Sequence, residues 1–278
     1  MLLAITELVL MYLPLACGAY LIFSLLRVPD FSIEGAFVMG ALAGYGALQM
    51  VPSLPLVVLA GALGGMVVGT MQSVLMLVLR VPCLLASIVN LGLCSSMALS
   101  LLGGSYVSLT HLPRLLPNAS LMVTALAVLG SVLVLYVFLR SSLGTCLRVY
   151  GMNPNFFGHY GISTNYIVVG GLLLASACAG IAGCLVAQTN LFVDVHMGHG
   201  IGLFALSALM LGKRLAGAHS SLLPLLGILA YAFLQQLLLK LGLGTQYFAA
   251  AQALTIVGLL VVTHKRGIVL LHNDHLGV

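Results

Sequence analysis

Two short polar strings hold most of the residues in this chain whose types could do chemistry. The first reads Asp30-Phe31-Ser32-Ile33-Glu34-Gly35 and the second Asp194-Val195-His196-Met197-Gly198-His199-Gly200. Carboxylates, a hydroxyl and imidazoles at such spacing could relay protons, hold a cation or meet a polar solute. His196 and His199 stand three apart, which suits a metal on a helix. A stable site needs further ligands, and only Asp194 is close, so no metal is expected. The chain has five acidic residues (Glu7, Asp30, Glu34, Asp194 and Asp274), and none falls at the centre of an apolar run. Ionisable groups inside a bilayer are what proton- or sodium-driven carriers use, so such a relay lacks its parts. Gly212-Lys213 is followed by Arg214, and position 207 is Ser207. The phosphate-cradling P-loop pattern therefore fails, and no nucleotide or other cofactor is expected on this chain. No His/Asp/Glu cluster or Ser–His arrangement lies within the apolar runs, which argues against an intramembrane enzyme.

Asp30 and Asp194 each precede a short apolar run, and two roles fit them. They can cap a helix start and complement its dipole, or line a ligand path. Ser32 and Glu34 fit either a solvated interface or the same path, and His196 and Met197 share the second string. Exposed helix N-termini at these places could meet a carboxylate. Six cysteines form no CxxC pair and sit mostly within apolar runs, where a free thiol packs as a small hydrophobe.

The elements that must position these strings follow from composition. Hydrophobic residues make up 62% of the chain, charged residues 5%, and the mean hydropathy is +1.20. Soluble domains carry about 25% charged residues, so this surface faces lipid. There the backbone must satisfy its own hydrogen bonds, as helices or a closed barrel. Apolar runs lie at about 4–26, 35–50, 54–79, 83–102, 120–139, 163–188, 198–211, 221–240 and 247–263. They are continuous, with no alternating pattern, so the expected fold is all-α: a polytopic transmembrane bundle of about nine spans. The second and seventh runs are short and glycine-rich. The first has no basic residue before it and contains Glu7, so it reads as a retained helix and not a secretory signal.

Nine crossings with the N-terminus outside place Arg27, Arg80, Arg140, Arg148, Lys213, Arg214, Lys265 and Arg266 on one face. Only Arg114 and Lys240 fall on the other. Positive charge accumulates on the cytoplasmic side, so the C-terminus is expected inside. The net charge of +5 is thinly spread, and nucleic-acid binding has no support. The two polar strings recur at an offset of 164 residues, each before a short run and then a long one. On this topology the halves, about 1–102 and 163–263, are inverted repeats. Run 120–139 connects them, and a tail covers 264–278. Inverted repeats with short helices at matching positions mark transporters. Within runs, Gly61-x-x-x-Gly65-x-x-x-Gly69 suits close helix packing. Asn90, Gln72, Gln188 and Asn190 suit either a path or interhelical bonds.

Residues 140–162 form the longest expected cytoplasmic loop. Asn153-Pro154 signals a turn, and Pro154 can open a short helix. That helix would carry Phe156, Phe157 and Tyr160, an aromatic face for either a partner groove or the bilayer interface.

The loop, with Arg148, Gly151, Asn153, Pro154 and Gly161, resembles the G-L-x-L-R-A-x-G-x-N-P-x-x-A-x-x-x-G-I segment of ABC importer permeases of the branched-chain amino acid and ribose class. Asp30 to Phe37 resembles the D-L-T-V-D-G-S-F string of the branch associated with tryptophan- and tyrosine-type amino acids. Ser176 to Leu211 looks like that branch's second repeat. Ala36 stands where the pattern has Ser or Thr, and the loop lacks the acidic residue that often follows Asn-Pro. The resemblance covers about residues 25–265. It implies a permease subunit of the bacterial inner membrane, paired with a second permease copy. ATP-binding cassette subunits would dock below, and a periplasmic or lipid-anchored substrate-binding protein outside. Residues 140–162 would be the coupling element. A stand-alone secondary carrier or channel is the other reading of a membrane bundle like this one.

Overall fold

In a computed structural model, the residues described are 2–111, 140–153, 156–157, 163–216 and 223–240, with the single positions 133, 137 and 250 and the pairs 253–254 and 257–258. Among them are eight α-helices. They are α1 (Leu2–Ala19), α2 (Ile33–Met50), α3 (Leu54–Ser73), α4 (Cys83–Leu102), α5 (Ser142–Met152), α6 (Thr164–Asn190), α7 (Ile201–Ala216) and α8 (Leu223–Lys240). Five stretches among the described residues are long and apolar enough to cross a membrane: Ile5–Leu26, Leu54–Val78, Cys83–Leu102, Thr164–Asn190 and Leu223–Lys240. The chain is a multi-pass helical membrane protein. Runs 120–139 and 247–263 lie almost wholly outside the described residues, as does the 264–278 tail. One departure from an all-α chain is a small antiparallel pair, β1 (Tyr106–Ser108) with β2 (Phe192–Asp194), in register Tyr106 to Asp194. It ties the chain after α4 to the chain after α6, and three residues per strand leave no periodicity to read.

Helix α2 occupies the centre. Its first ten residues, Ile33 to Leu42, are all buried, as expected of a helix apolar on every side. Around it, α3 and α6 meet closely. A Cβ at Gly65 would overlap the Ser176 carbonyl, and one at Gly61 would crowd Cys184. Gly69 faces Ser176 and Leu172. The Gly61, Gly65 and Gly69 ridge therefore lies antiparallel along Ser176, Gly180 and Cys184, the small-residue packing expected of that spacing. Gly40 of α2 meets Gly180 at the same crossing. Between helices in lipid, contact of this kind replaces the missing hydrophobic drive. All six cysteines are free.

Helices α1 and α3 stop in the same way. Each passes into a π-helical turn, Tyr20–Leu26 and Val74–Val78, and then into the tetrapeptide Leu-Arg-Val-Pro, at 26–29 and 79–82. Arg27 and Arg80 take left-handed backbone conformations, with φ of 56° and 53°. Val28 N–H donates to the Ile22 carbonyl at 3.2 Å and Val81 N–H to that of Leu75 at 3.1 Å. These are left-handed helix stops, widened because the preceding turn is π. The proline then prevents continuation.

Candidate functional site

The first polar string lies in the break that the Leu26-Arg27-Val28-Pro29 stop creates. Asp30 accepts two hydrogen bonds from Ser32, from its backbone N–H to Oδ1 and from its hydroxyl to Oδ2, both at 2.8 Å. Asp30 and Ser32 are both fully buried. These bonds form a turn at the start of α2, one of the two roles open to Asp30. Burial pushes its carboxyl up to about 6, against the two Ser32 bonds that hold it down.

Beside this turn, a chain of polar groups, with Gln72 and Asn90 buried and Cys83 half-buried, links α3 and α4. The Cys83 thiol lies 3.6 Å from the Pro29 carbonyl. Gln72 Nε2 donates to the Cys83 carbonyl at 3.3 Å. Asn90 Nδ2 donates to the Val68 carbonyl at 3.1 Å and stands 3.4 Å from Gln72 Oε1. Gln72 and Asn90 thus serve as interhelical bonds, one of the two uses their types allow.

Glu34 leaves its own segment. Its Oε1 accepts the Gly202 N–H at 3.1 Å, across 168 residues of sequence. Gly198 lies flush on the Glu34 carbonyl, and Gly202 against Glu34 Oε1 and the Phe31 ring. The sequence gives no direct sign of this pairing, because a capping partner at that separation leaves no local pattern.

The second string is more open. The Asp194 carboxylate accepts the His196 N–H at 3.0 Å, and the Asp194 carbonyl accepts Met197 N–H at 3.2 Å. His196 is exposed and Met197 half-buried. The His196 and His199 rings stand 5.3 Å apart. No group of three metal-ligating side chains occurs among the described residues. The two strings therefore differ: one is sealed inside the bundle, the other lies beside the β1–β2 pair at its end.

The loop after residue 140 begins with a helix. Ser141 caps α5, its Oγ accepting Gly144 N–H at 3.5 Å. Leu147 is buried and Arg148 exposed. Gly151 sits so tightly on the end of the α1 segment that a Cβ there would overlap the Leu25 carbonyl oxygen, with the Arg27 side chain beside it. Asn153 ends α5, its N–H donating to Val149 at 2.9 Å, and its carbonyl accepts Phe156 N–H at 3.2 Å. The aromatic face expected here is corrected at one position. Phe156 is 40% exposed, but Phe157 is only 4% exposed and packs into the core. The reversal at Asn153 turns Phe157 inward, edge-on to Phe156 at 5.5 Å between ring centres. Pro154, Tyr160 and Gly161 lie outside the described residues.

Helix α5 is thus seated on the end of a spanning segment, with a cation and a ring exposed beside it. Comparison with known proteins places the chain in a family. Residues 1–263 match the family model described as branched-chain amino acid transport system, permease component. The chain belongs to that family. It is the membrane-spanning permease subunit of an ABC importer, a transport subunit and not an enzyme, and it forms a translocation pathway for a small solute. This permease is 27% identical over 251 residues to the tyrosine transport system permease protein of Clostridioides difficile (strain R20291), covering 90% of this chain and 83% of the relative. It is 26% identical over 212 residues to the uncharacterized protein RP368 of Rickettsia prowazekii (strain Madrid E), covering 74% of each. No solved structure matches it significantly.

Proposed function

We propose that this permease carries an amino acid inward across a bacterial inner membrane, driven by separate ATP-binding cassette subunits. Two copies pair around the pathway, and a periplasmic or lipid-anchored binding protein delivers the solute. The observation that carries this reading is the seat of Gly151 on Leu25. Motion of α5 must move the end of the α1 segment, and five residues further on that segment becomes the Asp30 turn at the head of central α2. Arg148, Asn153 and Phe156 are the contacts this element offers the ATPase, with Phe157 as its anchor in the core; Pro154, Tyr160 and Gly161 are assigned to the same role on the sequence resemblance alone. Asp30 and Ser32 hold the bend where α2 borders the pathway. Asp194, His196 and Met197 border its outer mouth.

In this reading the N-terminus is outside, the C-terminus inside, and the halves about 1–102 and 163–263 are inverted repeats among nine spans. An aromatic amino acid is the preferred solute class, on the likeness to the tyrosine permease. The test is uptake into vesicles holding the permease, its ATPase and its binding protein, with labelled tyrosine, leucine and ribose offered separately. ATP-dependent tyrosine accumulation is expected. Accumulation of ribose alone would remove the amino-acid assignment.

A further inference from the structure

We propose that Glu34 is a positioning residue that latches the two halves of the permease, by capping helix α7 from helix α2. A helix start leaves several N–H groups without intrahelical partners, and a local side chain usually serves them. The first turn of α7 contains no acidic residue. Its Gly202 N–H is met instead by Glu34 Oε1 at 3.1 Å, and the Gly200 amide and His199 side chain face the same carboxyl. A negative group at a helix N-terminus is favoured by the dipole as well. Glycines at 198 and 202 let the two helix starts approach this closely, since a Cβ at 198 would strike the Glu34 carbonyl and one at 202 would crowd the Phe31 ring and Glu34 Oε1.

The junction continues as an aromatic cluster. Tyr12 of α1 lies 4.9 Å from Phe204 of α7, and Phe204 lies 4.6 Å from Tyr231 of α8. Phe37, three residues beyond Glu34, stacks with Tyr12 at 6.3 Å. Apolar packing of this kind tolerates small sliding, whereas a charge-assisted hydrogen bond is made or lost over a fraction of an ångström. Glu34 is therefore the directional element of the contact. It fixes where α7 begins relative to α2, and an importer that moves its halves must keep or release this bond in register with ATP use.

This inference rests on the ATP-driven reading above. The same assay separates the two, because wild-type uptake without an ATPase would overturn the driving reading, while the Glu34 variants still report on the bond itself through uptake and melting temperature. The variants are E34Q, which keeps an acceptor oxygen, E34A, which removes it, and E7A as an exposed acidic control. Each is assembled as the full importer, and uptake, ATP hydrolysis and melting temperature are measured. Loss of a hydrogen bond to a charged group is expected to cut E34A uptake by about tenfold. Hydrolysis stays near wild type and melting temperature falls by only the few degrees one lost bond accounts for, so solute moved per ATP falls. E34Q restores most of the uptake, and E7A matches wild type. E34A uptake near wild type overturns the latch. So does a parallel fall in uptake, hydrolysis and melting temperature, which is a merely structural role. An assembled E34Q as inactive as E34A overturns the bond as the agent.

Discussion

Asp30 and Ser32 show how a charged residue comes to sit in the interior of this bundle. Two 2.8 Å bonds from Ser32 answer both carboxylate oxygens, yet full burial still raises the Asp30 carboxyl from its ordinary 3.8 to about 6. A carboxyl that holds its proton more tightly when folded supports the fold below the lower value. That support is lost as pH rises through about 6. Asp30→Asn, which cannot ionise and keeps an acceptor for the Ser32 N–H, should flatten melting temperature against pH across this window. Asp30→Ala loses both bonds, and a denaturation series should show a cost of about 1–2 kcal/mol below the ordinary carboxyl range, as for other lost caps, shrinking as pH rises through about 6. A pH curve for Asp30→Asn identical to wild type would show that Asp30 is not the titrating group. The residue types at this string were legible as a cap or a path element, but the choice between them lay in burial, which one polar string flanked by two apolar runs does not reveal. Glu34 was the less legible case, since its partner Gly202 stands in the other half of the chain. The inward turn of Phe157 is not legible, because nothing in Phe156-Phe157 marks which ring lies inward.

At the scale of elements, glycine spacing carried the most reliable information. The Gly61, Gly65 and Gly69 ridge was readable as a packing face, and it lies against Ser176, Gly180 and Cys184 of α6. Gly65→Leu should abolish assembly, because its side chain meets backbone that cannot move aside. A drop of several kcal/mol, about the cost of gross overpacking or more, is expected in the melt of any protein recovered. Gly92→Ala is the contrast, for a Cβ there meets nothing within 4 Å. It should leave stability unchanged or raise it by up to about 1 kcal/mol. Helix lengths were readable to within a few residues, as runs 54–79 and 83–102 show beside Leu54–Val78 and Cys83–Leu102. The π-helical ends and left-handed Arg27 and Arg80 were not foreseen, although Leu-Arg-Val-Pro stands twice in the chain. A non-glycine residue in that conformation is set by the tertiary stop and not by its own preference. The β1–β2 pair was likewise too short to leave a signal.

The whole molecule is a frame with its motor elsewhere, and its sidedness has a direct check. Tyr106 beside β2 and Arg148 on α5 are both exposed, on faces assigned to opposite sides of the membrane. In a background with the native cysteines replaced, Tyr106→Cys should react with an impermeant thiol reagent added outside intact cells. Arg148→Cys should react only after the membrane is opened. The reverse pattern would invert the topology. Charge placement made this sidedness arguable from the chain, while the pairing of subunits left no trace in it, because a surface that meets lipid and one that meets another copy draw on the same apolar residues. The most direct test of the driving link is Gly151→Leu in the complete importer. Its side chain must displace the Leu25 backbone on which α5 rests, a contact at one helix end and not along the packed α3–α6 ridge that Gly65 occupies. Uptake should fall to near background while the permease still inserts and still binds its ATPase, which continues to hydrolyse ATP. Full uptake by Gly151→Leu, or uptake by the wild-type permease with no ATPase present, would contradict a pathway driven through α5.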